Sequence, residues 1–387
     1  MADPHTARWL VLGHYGGHNT GDEAMLSGLV QGCPPELHSR LTLVARAGHA
    51  SLPPNLQRIA GLHALPASVG AVAQALPPAH GIILGGGSHF QDDYAADRYP
   101  RHLRYMARFV AVSALAYQLG KPVLWLGMGF GPCFRGPTRM ITRIGLRFCT
   151  HVTVREAASA HEIRGWIARA KLTQAFDLAA LLLAGHAVEP APTPAPDTPY
   201  LGVSLLSVQS TLTGGASVDQ QFWQRTSTAL AELLATQPML RIRIFVIRGG
   251  QREDDFALSA QLYRTLIGVD PARVEIIPYL PDPMRTLRKM QECQSMLATR
   301  FHAGVLGYLA GCRLGLIVYH RKLTDLADEI GLDRDACLAL DATASTAQIR
   351  AYTHALVAGD AHYHAHLPRA TAVARARLST DLIVRYS

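Results

Sequence analysis

The sequence predicts an α/β protein of two doubly wound, Rossmann-like parallel-sheet domains facing a cleft. Apolar runs of strand length alternate with helix-sized segments in both halves, a proline-dense stretch separates the halves, and 387 residues exceed what one hydrophobic core of ordinary size holds.

In the first half the expected strands are Trp9 to Leu12, Leu41 to Val44, Gly81 to Leu84, Val123 to Leu126, His151 to Val154 and Gln174 to Phe176. Strands spaced by helix-sized segments pair in parallel through right-handed crossovers. Residues 186–199, HAVEPAPTPAPDTP, hold five prolines among small and polar residues, which predicts a semi-rigid linker. Beyond it come Tyr200 to Val208, Arg241 to Ile247, Val274 to Ile277, Ser295 to Thr299 and Leu314 to Tyr319, with helical stretches such as Gln221 to Thr236 between them. The domains expected are therefore 1–185 and 200–387, the second including helices from about Thr346 onward that could pack back across the join. In open sheets of this kind ligands bind outside the carboxyl ends of the strands, so the strand ends are where chemistry is sought.

With 49% hydrophobic and 17% charged residues, the chain has the composition of a folded globular protein. No apolar run reaches the roughly 18 residues of a spanning helix, and Met1 to Arg8 is too polar and short for a signal peptide, so a cytoplasmic location is expected. The six cysteines show neither CxxC pairing nor histidines at metal-ligand spacing, which leaves them as buried small hydrophobes. The net charge of +8 is unevenly placed: from Arg98 to Arg155 there are ten Lys or Arg and no Asp or Glu. Within that block Arg135, Arg139, Arg143 and Arg147 recur every four residues and form one stripe of a helix. Such a stripe is either a solvated face or the counterpart of an anionic membrane or phosphorylated substrate.

The first motif is GHYGGHNTGDEAML, residues 13–26, directly after the first strand. It lacks the Gly-Lys-Ser/Thr ending of a P-loop and the glycine spacing of a dinucleotide fingerprint. Thr20 is expected to cap a helix starting near Gly21, with Glu23 three positions on as in a capping box. Asp22 then projects from the first turn toward the cleft, or serves only as a dipole partner. Two further glycine turns, LGGGSHFQDD and GMGFGP, follow the third and fourth strands. Their glycines, including Gly86, Gly87 and Gly129, suggest a floor of exposed amides for a bound group. Arg155 ends the strand in VTVRE, where it can grip a carboxylate or phosphate, or pair with Glu156 or the next helix. In the second half, His302 in TRFHAG stands at a strand-to-helix turn, placed to carry a proton, and YHRK sets Lys322 at the next strand end.

In this order the five elements GHYGGHNTGDEAML, ILGGGSHFQDD, GMGFGP, VTVRE with Ser159, and RFHAGVLGYLAG with YHRKLTDLADEIGLD resemble the polysaccharide pyruvyl transferase family over residues 9 to 335. The family moves pyruvate from phosphoenolpyruvate to a sugar of a cell-surface polymer, often as a ketal. The resemblance implies a two-domain fold like that of the GT-B glycosyltransferases, with no metal or nucleotide cofactor. The chain departs from the family pattern at Thr20, at Ser88-His89, at Phe301, at Asp177-Leu178-Ala179 and at His320-Arg321, the last altering charge near the donor site.

On this reading phosphoenolpyruvate is gripped by Arg155, His302 and Lys322 beside Gly86, Gly87 and Gly129. His302 is the general acid for the methylene carbon. Asp22, with Asn19 and Asp92 on the acceptor side, is the base for the attacking sugar hydroxyl. Two other readings stand beside it, a nucleotide-sugar glycosyltransferase of the same plan and a non-catalytic glycan- or lipid-binding homologue. The basic block favours an acceptor carrying pyrophosphate or held at an anionic membrane, such as a lipid-linked sugar at the inner face, and no aromatic stacking pattern points to nucleic acid. A homo-oligomer is compatible with the sequence.

Overall fold

The computed structural model describes residues 8–92, 98–184, 199–208, 216–250, 255–341 and 343–387. Its contacts divide the chain into two units, Met1–Ala187 with Ala370–Ser387, and Val188–Arg369. The stretch expected as a linker lies outside the described residues apart from Pro199.

The first unit carries seven parallel strands, β1 (Trp9–Leu12), β2 (Leu41–Ala45), β3 (His63–Pro66), β4 (Gly81–Phe90), β5 (Val123–Phe130), β6 (His151–Val154) and β7 (Leu172–Gln174), in the order β3-β2-β1-β4-β5-β6-β7. The second carries β8 (Tyr200–Ser204), β9 (Arg241–Phe245), β10 (Val274–Ile277), β11 (Ser295–Ala298), β12 (Arg313–Val318) and β13 (Cys337–Ala339), also all parallel, in the order β10-β9-β8-β11-β12-β13. Each order reverses direction beside the unit's first strand, at β1/β4 and at β8/β11. Those are the topological switch points, where a crevice opens at the carboxyl ends of the strands.

The central strands are continuous apolar runs because helices cover both of their faces. β1 is buried at all four positions and pairs in register from Trp9 opposite Gly81 to Leu12 opposite Leu84. The core of the first sheet centres on Trp125, whose ring stacks on Phe90 at 4.6 Å; truncating such a buried aromatic to alanine costs about 3–5 kcal/mol.

β4 and β5 run past their expected ends at Leu84 and Leu126, and the glycine turns become strand. The ladder shifts register between Gly87 and Phe90 and between Trp125 and Met128, with Gly87 at φ 122° and Gly127 at φ 63°. Glycine supplies these left-handed conformations without a side-chain clash.

The last helix departs from the expected domain boundary. From Ala370 onward the helix Arg369–Tyr386 belongs to the first unit, where the hydroxyls of Ser379 and Thr153 meet at 2.7 Å and Arg375 donates to the carbonyl of Ala175 at 3.0 Å. Trp9 Nε1 donates to the hydroxyl of Ser387 at 2.9 Å. The helix buries Ala372, Val373, Ala376, Leu382 and Ile383, apolar surface that holds it there. The second unit's sequence therefore ends at Arg369, not at Ser387.

Candidate functional site

In the first unit the loop after β1 leads into the helix Thr20–Gly32 at the β1/β4 switch point. The cap is Asn19 and not Thr20: Asn19 has extended backbone, its Oδ1 accepts from Gly21 N at 3.1 Å, and Thr20 is already helical and fully buried. Asn19 Nδ2 also donates to Asp22 Oδ2 at 2.8 Å, so the two expected acceptor-side residues meet. Asp22 is half-buried in the first helical turn, where the exposed amides favour its carboxylate.

Around Asp22 lie groups that the motif alone did not assign. Tyr15 is 3% exposed, its hydroxyl has no hydrogen-bond partner among the described residues, and burial followed by the Asp22 charge raises its pKa far above the usual range. His89, also buried, has its pKa lowered to about 4, chiefly by desolvation, so it is neutral near pH 7. Its Nε2 faces the carbonyls of Gly86 at 3.0 Å and Gly85 at 3.3 Å, which only accept, so Nε2 carries the proton. Nδ1 then accepts from the Tyr105 hydroxyl at 2.7 Å. The ring of His14 packs edge-on against Tyr105, with centroids 6.3 Å apart. Tyr15 and His89 were visible in the motifs; what the sequence hid is that helix and strand bring them beside Asp22.

Five expected ligand residues at this edge lie instead against protein groups. Arg155 is 3% exposed and committed inward: Nε donates to Glu156 at 2.7 Å, one terminal nitrogen to Asp177 at 3.2 Å and the other to Ser88 at 2.9 Å. Burial lowers the pKa of the guanidinium, and Glu156 and Asp177 more than offset that, leaving it raised. Ser159 joins the network through Glu156 and accepts from Phe130 N at 2.7 Å. A buried cation held by two carboxylates is a fold element and not a grip for a donor.

Asp92, expected to face the acceptor, is 2% exposed and accepts from Phe134 N at 2.9 Å and Arg135 N at 2.6 Å, fixing the turn before the helix Gly136–Phe148. Gly86 and Gly129 do not offer an amide floor. A Cβ at Gly86 would lie 2.5 Å from Met25 Sδ, and one at Gly129 2.8 Å from Ser88 Oγ and 3.0 Å from Arg155. Gly87 is likewise buried, with its Cβ position 3.3 Å from His89 Nε2. These glycines admit protein side chains rather than a ligand.

In the second unit the helix Phe301–Ala310 starts two residues after β11, and the helix Arg321–Ile330 starts two residues after β12. β11 and β12 are neighbours, so His302 and Lys322, each the second residue of its helix, stand on one carboxyl edge. His302 is half-buried, with its ring at right angles to that of Phe301. His320 caps the second helix, Nδ1 accepting from Lys322 N at 3.0 Å, and Lys322 Nζ lies 5.2 Å from the centre of the Tyr319 ring. Arg300 pairs with buried Asp255 through two bonds of 2.5 Å, which anchors the turn ahead of His302. At the switch point the hydroxyls of Ser204, ending β8, and Thr299, following β11, are buried without a partner among the described residues, while Thr299 N donates to Ser204 O at 3.1 Å. The sequence reading had assigned neither hydroxyl.

Among the described residues no group of three or more His, Cys, Asp or Glu could hold a metal ion, and no helix is long and apolar enough to cross a membrane.

The fold is shared with known structures at low identity. Anabaena Alr3699/HepE, in complex with UDP and glucose, aligns with a TM-score of 0.56 at 13% identity over 98% of each chain. The UDP-GlcNAc 2-epimerase of Neisseria meningitidis, bound to UDP-GlcNAc, gives 0.58 at 11% over 98% of this chain and 99% of that one. The same enzyme of Methanocaldococcus jannaschii gives 0.59 at 11% over 98% and 100%. These likenesses establish the two Rossmann-like domains of the GT-B plan. No curated protein matches the sequence. The profile of the family described as polysaccharide pyruvyl transferase matches residues 19–321, which span Asn19, Asp22, His302 and Arg321. The chain belongs to the polysaccharide pyruvyl transferase family.

Proposed function

We propose that this protein transfers the pyruvyl group of phosphoenolpyruvate to two hydroxyls of a sugar in a cell-surface glycan or its lipid-linked precursor, forming a pyruvate ketal. The reading is carried by one observation beside family membership: His302 and Lys322 open helices on adjacent strands of the second sheet, at the edge where this fold binds ligands.

Lys322 and the amides of the helix Phe301–Ala310 meet the donor's phosphate. His302 gives a proton to the methylene carbon C3, and positive charge develops at C2, shared with the ester oxygen. A sugar hydroxyl attacks C2 while its proton passes to the Asp22 carboxylate, which Asn19 orients. The second hydroxyl then attacks C2 as phosphate departs, closing the ketal, and the proton it releases leaves with phosphate. Arg155 takes no part in gripping the donor; it holds the strand end from which the acceptor side is built. The reaction needs neither a metal nor a nucleotide, and it belongs to glycan assembly inside the cell.

The test is incubation with phosphoenolpyruvate and a candidate acceptor, reading inorganic phosphate and the mass gain of a pyruvate ketal. The expected result is one phosphate released per ketal formed. No ketal on any acceptor, together with stabilisation against heat by UDP-sugars and not by phosphoenolpyruvate, would replace this reading with nucleotide-sugar chemistry.

A further inference from the structure

A second surface of the first unit takes no part in this chemistry. The helices Tyr99–Gln118 and Gly136–Phe148 follow β4 and β5, neighbouring parallel strands, and pack side by side on one face of the sheet. They are joined at one end by Arg135 over the Tyr99 ring at 4.0 Å and at the other by the rings of Tyr117 and Phe148 at 5.7 Å.

The charge on this pair has one sign. Arg139, Arg143 and Arg147 are exposed, and with Gly136, Met140 and Ile144 they line a shallow groove of about 580 Å³ along the helix. Among the described residues none of the three forms an ion pair, although Arg143 also lies over the Trp166 ring at 4.8 Å. Arg101, Arg104 and Arg108 are exposed on the neighbouring helix. Like charges four residues apart repel, so the stripe is stabilised by an external anion.

Apolar side chains are exposed on the same two helices and in the turns that flank them. Of eleven large hydrophobic residues exposed among the described residues, five fall between 115 and 140: Phe134 at 70%, Met140 at 58%, Tyr117 at 56%, Leu119 at 47% and Leu115 at 43%. Guanidiniums interleaved with phenyl, thioether and leucyl groups match a boundary where phosphate gives way to acyl chain. A nucleic acid would meet the charges but has nothing to bury Met140 and Leu119 against.

We propose that this helix pair docks the protein on a bilayer containing anionic phospholipid. Arg139, Arg143 and Arg147 sit at the level of the headgroup phosphates, and Phe134 and Met140 enter the acyl boundary. Phe134 follows β5 out of the carboxyl edge that also holds Asp22, so a bilayer met here presents a lipid-linked acceptor on the acceptor side. Only that consequence rests on the reaction proposed above.

The test is co-sedimentation of the full chain with phosphatidylcholine vesicles, with and without phosphatidylglycerol, at low and high salt. Binding is expected to require phosphatidylglycerol and to weaken as salt rises. Each basic residue near such a surface contributes roughly fivefold, so the triple variant Arg139→Gln/Arg143→Gln/Arg147→Gln should bind about a hundredfold more weakly. Phe134→Ser/Met140→Ser should bind more weakly while keeping its salt dependence. Arg264→Gln/Arg285→Gln, which removes exposed charge from the second unit, should bind as the unaltered protein does. Binding unaffected by the triple variant, equal losses in the Arg264/Arg285 control, equal binding to uncharged vesicles, or tighter binding to RNA or DNA than to vesicles would each overturn the proposal.

Discussion

The two units repeat one strand order around their switch points, yet their carboxyl edges are built differently. At the first edge the motif residues mostly satisfy one another: Arg155 with Glu156, Asp177 and Ser88, Asp92 with two backbone amides, His89 with Tyr105 and two carbonyls. Among the described motif residues there, Asn19 and Asp22 meet each other, and the Tyr15 hydroxyl has no partner. At the second edge the helices open within two residues of the strands and carry His302 and Lys322 in their first turns. The same fold thus devotes one edge largely to its own scaffold and, on the function proposed above, the other to an anion, and a charged residue in a motif gives no warning of which role it holds.

That contrast can be broken by substitution. The largest effect is expected from His302→Ala, which should lower turnover about a hundred- to ten-thousandfold, the range for a lost general acid, with an unchanged melting temperature. Turnover near that of the unaltered protein would move the acid elsewhere. Arg155→Ala should instead act on stability. It leaves Glu156 and Asp177 buried without their cation, which costs about 3–5 kcal/mol and is read by urea unfolding. A stable Arg155→Ala protein with a raised KM for phosphoenolpyruvate would return Arg155 to the donor.

His89 sharpens the comparison through pH. Its folded value of about 4 lies below the ordinary 6.5, so the unfolded chain takes up the proton first as pH falls. The stability tied to keeping it neutral is fully present above pH 6.5 and is lost as pH falls through about 4, roughly 3 kcal/mol in all. Urea unfolding across that window should show His89→Gln lacking this loss; a parallel decline in both proteins would assign the acid sensitivity to other groups. The smallest effect concerns Tyr15→Phe, which deletes a buried hydroxyl without a partner and should stabilise by about 1 kcal/mol while lowering kcat/KM for the acceptor. A gain in stability with no kinetic change would limit Tyr15 to packing.

Much of this architecture was legible in the sequence. β1 and β6 lie where their runs predict, because strands buried at every position leave a run of sheet-forming residues in the sequence, and β10, an edge strand buried only at Val274, is found at its expected place as well. β3 and β13 escaped notice: they lie at sheet edges, are three or four residues long and are only partly buried, so no apolar run marks them. β7 runs over Leu172–Gln174, earlier than the expected Gln174 to Phe176, for the same reason. The glycine-rich segments misled because glycine carries no periodicity. Whether its missing side chain makes room for a ligand or for Met25, His89 and Arg155 depends on contacts distant in sequence. Glu156 adjoins Arg155 in the chain and is legible as its partner, whereas Asp177 and Ser88, 22 and 67 residues away, are beyond any local reading. The return of the chain to the first unit from Ala370 onward is likewise decided by tertiary partners such as Thr153 and Trp9.

The central claim is that the donor's phosphate is held at the second edge, and calorimetric titration of phosphoenolpyruvate into the unaltered protein and Lys322→Gln tests it most directly. A lost charge-assisted contact of about 1.5–3 kcal/mol predicts at least a tenfold weaker Kd in the variant, with an unchanged melting temperature. Equal affinity in the two proteins would contradict the account.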